Sequence, residues 1–313
     1  LAAARLTEAA KTPIQRENYE CVRDLARLDA WIQDAYEAGV FAVDTETTSL
    51  DSMQCDLVGI SLATAPGRAC YIPIAHRDEG SSDLFGGNDL VAGQLSLDAV
   101  LEKMRPLLEE PGVLKIAHNM KFDWQVFQAH GIEIVAYDDT MLMSYVLDNG
   151  INGHGMDELA AKHLGHETIP FGDVAGTGKN FIGFARVALD KATEYAAEDA
   201  DVTLRLWRIF KPRLVAEKMN TVYETLDRAL SPVLARVETR GVSIDRSILS
   251  RLSGEFAQSM ARLEAEIHEL AGENFNLGSP KQLGDILFGK MGLPGGKKTA
   301  TGAWSTSASV LDD

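Results

Sequence analysis

The sequence predicts an α/β domain built around a mixed β-sheet, followed by a long helical hairpin. Short apolar, β-branched runs separated by tight turns come first, strand and helix signals alternate next, and long amphipathic helices come last. This order is typical of a sheet flanked by helices. The 313 residues, 45% of them hydrophobic, are enough to bury a substantial core in one or two domains.

Strand signals dominate the first part of the chain. Residues 1–20 show no clear period and are predicted to be a linker, and residues 21–38 are predicted to form a short strand and a helix that ends at Gly39. Three apolar runs follow at residues 41–44, 57–63 and 69–74. Because their connections are short, we expect these runs to form an antiparallel meander.

The middle of the chain alternates between strand and helix signals. Residues 77–96 are rich in Gly, Ser and Asp and are predicted to form a surface loop. The elements predicted after it are a helix over 97–108, a strand over 113–117, a helix over 119–130, a loop over 169–180 and a long helix over 189–210. We therefore assign residues 21–211 to the α/β domain.

The remaining residues, 212–313, are predicted to be helical. Amphipathic helices over 215–240 and 248–271 flank a turn at 241–245, which predicts a protruding hairpin. The chain ends in polar, small residues with no helix stop signal, so we expect a fragment of a longer protein.

Composition restricts the possible functions. A net charge of -16 argues against a protein that coats duplex DNA, although bound metal ions would still allow a small site for a few nucleotides. Three cysteines without metal-ligand or redox spacing, and no signal peptide, indicate reduced thiols and a cytoplasmic protein. No apolar run approaches the length of a membrane span.

Acidic side chains recur in three motifs. Asp44 and Glu46 lie two apart at a strand end and project from one face, while Tyr195 and Asp199 lie four apart on one helix face, as do Asn119 and Asp123. Four converging carboxylates repel one another unless cations offset their charge. Two divalent cations in such a site are the usual apparatus for phosphodiester hydrolysis.

Each motif also has a simpler interpretation when it is taken alone. Asp44 and Glu46 could end a strand at a turn, and Asn119 could cap the helix on which an exposed Asp123 lies. Asp199 could be one charge of an acidic helix stretch. The combination of all three in the expected structural contexts favours the catalytic interpretation.

With these residues in view, the chain resembles the 3′→5′ proofreading exonucleases of the DEDD superfamily whose third motif carries tyrosine. The similarity to bacterial family A DNA polymerases extends over residues 44–50, 57–61, 71–76 and 195–203. In the C-terminal part, residues 240–245, 275–283 and 298–302 resemble the start of the polymerase region. The resemblance implies a ribonuclease H-like mixed sheet, followed by thumb helices that stop before the palm and fingers.

The resemblance also implies roles for individual residues. The implied ligands of two Mg²⁺ or Mn²⁺ ions are Asp44, Glu46, Asp123 and Asp199. Tyr195 would orient the attacking water. The residues implied in substrate binding are Thr45, Leu50, Asn119 and Phe171. Leu50 would wedge beside the terminal base, and Asn119 would bind the substrate strand or hold Asp123 in place. Phe171 would stack on a base, although a core position beneath a loop is an equal alternative for Phe171.

The expected partner is the single-stranded or frayed 3′ end of DNA, and the expected product is a nucleoside 5′-monophosphate. We expect a monomer, cytoplasmic and associated with the nucleoid. One alternative is a ribonuclease D-like RNA exonuclease, against which the polymerase-like residues after Arg240 argue. Others are a catalytically idle scaffold, although every carboxylate is present, and a DNA-clasping helical hairpin, which the acidic net charge weakens.

Overall fold

The computed structural model describes residues 13–78, 90–151 and 153–312. Most of the predicted linker and the middle of the predicted loop over 77–96 lie outside these ranges. The chain divides into two compact units, the first ending at Gly241 and the second beginning at Val242. All three cysteines carry free thiols. Within the described ranges, no helix combines the length and apolar character needed to cross a membrane.

The first unit is built on a six-stranded mixed sheet. Its strands are β1 (Glu20–Cys21), β2 (Val40–Thr47), β3 (Leu57–Ala65), β4 (Arg68–Pro73), β5 (Leu114–Ala117) and β6 (Tyr137–Asp139). They lie in the order β1-β4-β3-β2-β5-β6. The antiparallel meander is confirmed, because β3 pairs antiparallel with both β2 and β4. The pairs β1–β4, β2–β5 and β5–β6 are parallel, which makes the sheet mixed as predicted.

Helices cover this sheet and continue beyond it. The helices of the first unit are α1 (Leu25–Ala38), α2 (Leu97–Leu108), α3 (Met120–Ala129), α4 (Thr140–Asp148), α5 (Met156–Leu164), α6 (Phe171–Ala175), α7 (Leu189–Ala216) and α8 (Arg228–Arg240). Short 3₁₀ turns lie at Arg16–Asn18, Gly178–Asn180 and Phe184–Arg186. Local signals explain the ends of α1: the Asp24 carboxylate accepts from the Arg27 amide, and Gly39 takes a left-handed conformation with φ of 67°.

The core lies on both faces of the sheet. Ala42 and Val43 are consecutive in β2 and therefore face opposite sides. Val43 belongs to the larger cluster, where Trp31 of α1, Met104 of α2 and Phe127 of α3 pack. Ala42 belongs to a second cluster with alanines of α7. These small side chains let α7 approach the strands closely, and that approach positions the candidate site.

The predicted single helix over 215–240 was wrong in its first part. Helix α7 continues to Ala216, and Lys218 then takes a left-handed conformation with φ of 61°. Helical structure resumes with a turn at Asn220–Val222 and a π-helical stretch at Tyr223–Asp227, before α8. The amphipathic pattern of apolar residues does not reveal that a single lysine takes a left-handed conformation, so the sequence predicted one continuous helix.

The second unit contains α9 (Arg246–Ala271), α10 (Pro280–Gly284), a π-helical stretch at Asp285–Lys290 and α11 (Ala308–Leu311). The predicted helix over 248–271 is confirmed. It begins after Asp245, whose carboxylate accepts from the amides of Ser247 and Ile248. Its expected pairing with α8 in a hairpin stays a prediction.

Candidate active site

The end of β2 brings two carboxylates to one face of the sheet. Antiparallel pairing with β3 sets Asp44 opposite Ser61 and Glu46 opposite Gly59. Gly59 leaves room for the Tyr71 side chain of β4, because a Cβ atom there would lie 2.1 Å from the hydroxyl oxygen of Tyr71. Because side chains alternate along a strand, Asp44 and Glu46 project from the same face of β2, as predicted.

Helix α7 adds the third carboxylate. One carboxylate oxygen each from Asp44, Glu46 and Asp199 can be chosen so that all three lie within 4.8 Å of one another. Tyr195 lies one helical turn before Asp199 on α7, close enough for the charge of Asp199 to act on its hydroxyl. The i, i+4 relation predicted from the sequence thus places both side chains in this group.

Asp123 lies beside this group of three rather than in it. It is only 2% exposed on α3. Its Oδ1 atom accepts from the Thr45 amide at 3.0 Å and from the Thr45 hydroxyl at 2.6 Å. The side chain of Thr45, predicted to bind substrate, is therefore engaged in orienting Asp123.

The environment of the carboxylates favours their neutral forms. Burial raises the pKa of Asp44 to about 7. Burial also raises the pKa of Glu46 well above its ordinary value, and the charges of Asp44, Asp199 and Asp123 raise it further. Such mutual repulsion is relieved when a cation is shared. Because carboxylate oxygens suit hard divalent cations, the residues present fit a metal centre.

Tyr195 keeps its phenolic proton in this environment. Burial raises the pKa of its hydroxyl far above the ordinary value, and the neighbouring charge of Asp199 acts in the same direction. The side chain can therefore donate a hydrogen bond at any physiological pH.

An open cleft of about 840 Å³ leads to the carboxylates. It is lined by Asp44, Thr45, Glu46, Thr47, Thr48, Ser49, Leu50, Asn119, Phe122, Phe171, Phe181, Phe184, Tyr195 and Asp199. Phe171 stacks on Phe184 with 6.3 Å between ring centroids and meets Tyr195 edge-on at 6.0 Å. Because Phe171 is 43% exposed, it is not the core residue of the alternative interpretation. Its stacking on a base stays a prediction.

Three aromatic residues of the cleft escaped the sequence analysis: Phe122, Phe181 and Phe184. Phe181 is 54% exposed and lies 6.4 Å from Phe171 between ring centroids. It follows Gly176, whose φ is 75° and where a Cβ atom would lie 2.1 Å from the carbonyl oxygen of Asn180. A phenylalanine within this polar, glycine-rich segment was the signal available in the sequence.

Leu50 and Asn119 lie where the cleft meets a second cavity of about 380 Å³, which they also line. Leu50 is 95% exposed, a position open to contact with a ligand. Asn119 immediately precedes α3, and its side chain makes no capping hydrogen bond within the described ranges. Both predicted substrate-binding residues are thus at the cleft.

Comparison with known proteins agrees with this geometry. The 3′-5′ exonuclease family matches residues 19–215, and DNA polymerase family A matches residues 246–313. A DNA polymerase I of Rhizobium leguminosarum is 56% identical over 100% of this chain and 32% of its own length. A DNA polymerase I of Pseudomonas aeruginosa is 46% identical over 96% of this chain and 32% of its own length.

A solved structure supports the fold. The POL domain of Pol1 from M. smegmatis, in complex with DNA primer-template and dNTP, has a TM-score of 0.71 at 21% identity, covering 93% of this chain and 44% of that one. The chain spans about a third of the length of the curated relatives it matches. The ribonuclease H-like fold and the resemblance are confirmed: the chain belongs to the 3′-5′ exonuclease family and corresponds to a segment of DNA polymerase I.

Proposed function

We propose that the first unit hydrolyses the 3′-terminal phosphodiester of single-stranded or frayed DNA and releases nucleoside 5′-monophosphates, as a proofreading exonuclease. The observation that carries the proposal is the convergence of Asp44, Glu46 and Asp199 in a cleft with an aromatic wall. A mispaired terminus unpairs at lower cost than a paired one, so entry as a single strand supplies the selectivity.

We assign Asp44, Glu46, Asp123 and Asp199 as ligands of two divalent cations, Mg²⁺ or Mn²⁺. When bound, the ions would supply hydroxide at neutral pH and offset the charge on the leaving 3′-oxygen. The raised pKa of Asp44, about 7, supports the assignment, because a cation would recover the free energy that the uncompensated charges cost. Thr45 orients Asp123 for this task.

The remaining cleft residues hold the substrate. Tyr195, with its proton retained, orients the attacking water. Leu50 wedges beside the terminal base, Asn119 contacts the strand, and Phe171 stacks on a base. These roles are supported by the position of all four residues along one cleft.

DNA is the proposed partner, supported by the DNA primer-template in the similar Pol1 complex. We also propose a monomer in the cytoplasm, associated with the nucleoid. Residues 21–211 form the exonuclease domain in this proposal, and residues 212–313 derive from the polymerase domain. The first compact unit extends further, to Gly241, because α8 packs within it.

Digestion of a 5′-labelled single-stranded DNA oligonucleotide tests the proposal. With Mg²⁺ or Mn²⁺ we expect a ladder that shortens from the 3′ end, and with EDTA no cleavage. An RNA of the same sequence is the matched substrate, and faster cleavage of RNA would favour the ribonuclease alternative. No DNA cleavage by the folded, metal-supplied chain would contradict the proposal and favour a scaffold.

A further inference from the structure

One buried carboxylate serves the first turns of two helices. Asp139 ends β6, precedes α4 and is 1% exposed. Its Oδ1 atom accepts from the amides of Met141 at 2.9 Å and Leu142 at 3.2 Å. This is the capping of its own helix that an aspartate at this position provides.

The same side chain also reaches the start of α3. Oδ1 accepts from the Asn119 amide at 3.2 Å, and Oδ2 accepts from the Met120 amide at 2.9 Å. The first amides of a helix have no partner within the helix, and the residue before the helix usually supplies one. Here Asp139 supplies it, although an asparagine occupies the usual capping position of α3.

The backbone of Asn119 is held in an uncommon conformation. Its φ of 71° lies in the left-handed region, which asparagine tolerates better than most residues. Asp139 lies close to Asn119 because β5 and β6 pair in parallel, with Ala117 opposite Asp139. A second bond joins the same segments, since the Thr140 hydroxyl donates to the Ala117 carbonyl at 3.2 Å.

We propose that Asp139 is a positioning residue for the cleft. By capping α3 from outside, it leaves the side-chain amide of Asn119 available to bind the substrate strand, and its bond to the Asn119 backbone N–H fixes the direction of that side chain. The proposal rests on the exonuclease function above. It explains why an asparagine that could cap a helix instead lines both cavities of the cleft.

The variant Asp139→Ser separates the two tasks of the carboxylate. Serine is a favourable cap for its own helix, but its single oxygen cannot serve α3 as well. We expect the KM for single-stranded DNA to rise about tenfold, as for the loss of one hydrogen bond to the substrate, with a smaller change in kcat. Asp139→Asn, which keeps the size of the side chain, should raise the KM in the same direction.

A double-mutant cycle with Asn119→Ala supplies a readout that a purely structural role would not move. If Asp139 acts through Asn119, Asp139→Ser should change the KM little in a chain that already lacks the side-chain amide of Asn119. The control is Asp24→Ser, which alters the cap of α1 away from the cleft and should leave the KM unchanged. Unfolding curves for every variant separate misfolding from mispositioning.

The outcomes distinguish this inference from the function on which it rests. Normal wild-type cleavage with an unchanged KM in both Asp139 variants would overturn the positioning role alone. If Asp139→Ser raised the KM equally in chains with and without the side-chain amide of Asn119, that result would overturn the positioning role as well. Absence of metal-dependent cleavage in the wild-type chain would contradict the exonuclease function itself.

Discussion

The two units differ in how completely they bury their apolar side chains. Among the described residues, the buried apolar side chains after Gly241 are Ala271, Ile286 and Val310, and all others lie in the first unit. Helix α9 exposes an apolar set: Ile248, Leu249, Leu252, Phe256, Met260, Leu263, Ile267 and Leu270. The first unit thus has a hydrophobic core of its own to hold the candidate site in place, whereas the second leaves most of its large apolar side chains exposed.

Helix α8 shows where the self-sufficient unit ends. Ala235 of α8 belongs to the main core cluster of the sheet. Before α8, the buried hydroxyl of Tyr223 donates to the Asp138 carboxylate at 3.0 Å and accepts from the Asp139 amide at 2.8 Å. The pattern of strand and helix signals placed the end of the α/β domain at residue 211, but these contacts extend the compact unit to Gly241.

Truncation of the chain should give the largest loss of stability, and it tests whether the first unit folds without the second. We expect a chain ended after Gly241 to unfold cooperatively and to keep metal-dependent cleavage. A chain ended after Lys211 should lose at least about 3 kcal/mol of unfolding free energy, because it lacks the buried Tyr223 and Ala235. Urea unfolding of both chains measures this. Equal stability of the two chains would contradict the boundary at Gly241.

Removing a site carboxylate should stabilise the metal-free first unit. Unfolded aspartate has a pKa of about 3.9, whereas burial raises that of folded Asp44 to about 7. Between these values the folded state retains a proton that the unfolded chain has released, so stability falls as pH rises through this window. We therefore expect Asp44→Asn to raise the unfolding free energy in EDTA by about 4 kcal/mol at pH 8, but by no more than about 0.5 kcal/mol at pH 4.

The control for this prediction is Glu194→Gln, which removes an exposed charge from α7. It should alter stability by less than about 0.5 kcal/mol at either pH. Saturating Mn²⁺ should stabilise the wild-type chain more than Asp44→Asn and reduce the difference between them. If Asp44→Asn and Glu194→Gln changed the unfolding free energy equally across the pH range, burial of the Asp44 charge would not be the cause of the effect.

An aromatic residue that the sequence analysis missed gives a smaller effect. Phe181→Ala should weaken binding of a single-stranded 3′ end by about 1 kcal/mol, at the low end for loss of one stacking contact. Phe256→Ala is the matched control, because Phe256 is similarly exposed but lies on α9 in the second unit. Fluorescence anisotropy with labelled DNA compares the two. A larger loss for Phe256→Ala would place strand binding outside the cleft.

Local sequence determined much of what was predicted correctly. The strands of the meander, the helices α1, α2 and α9, and the alignment of Tyr195 with Asp199 follow from periodicity and capping residues. The convergence of Asp44, Glu46 and Asp199 followed from motifs in their structural context. Features of this kind depend on neighbours within a few residues, so a single sequence reports them.

Long-range contacts account for what was missed. Asp139 caps its own helix α4 through a local contact, but its bonds to Asn119 and Met120 depend on the register of β5 with β6. Phe181 joins the cleft only because its loop folds beside Phe171. The left-handed conformation of Lys218 likewise has no signature in an amphipathic pattern. Tertiary structure decides each of these cases.

The most direct test of the catalytic site is the cleavage rate of the Asp44→Ala, Asp199→Ala double variant on single-stranded DNA with saturating Mg²⁺. The control, Asp190→Ala with Glu194→Ala, removes two exposed carboxylates of α7 and should retain wild-type activity. We expect the site variant to fold normally and to lose at least about 10³-fold in rate. Full activity in a folded site variant would contradict the assignment of these carboxylates as metal ligands.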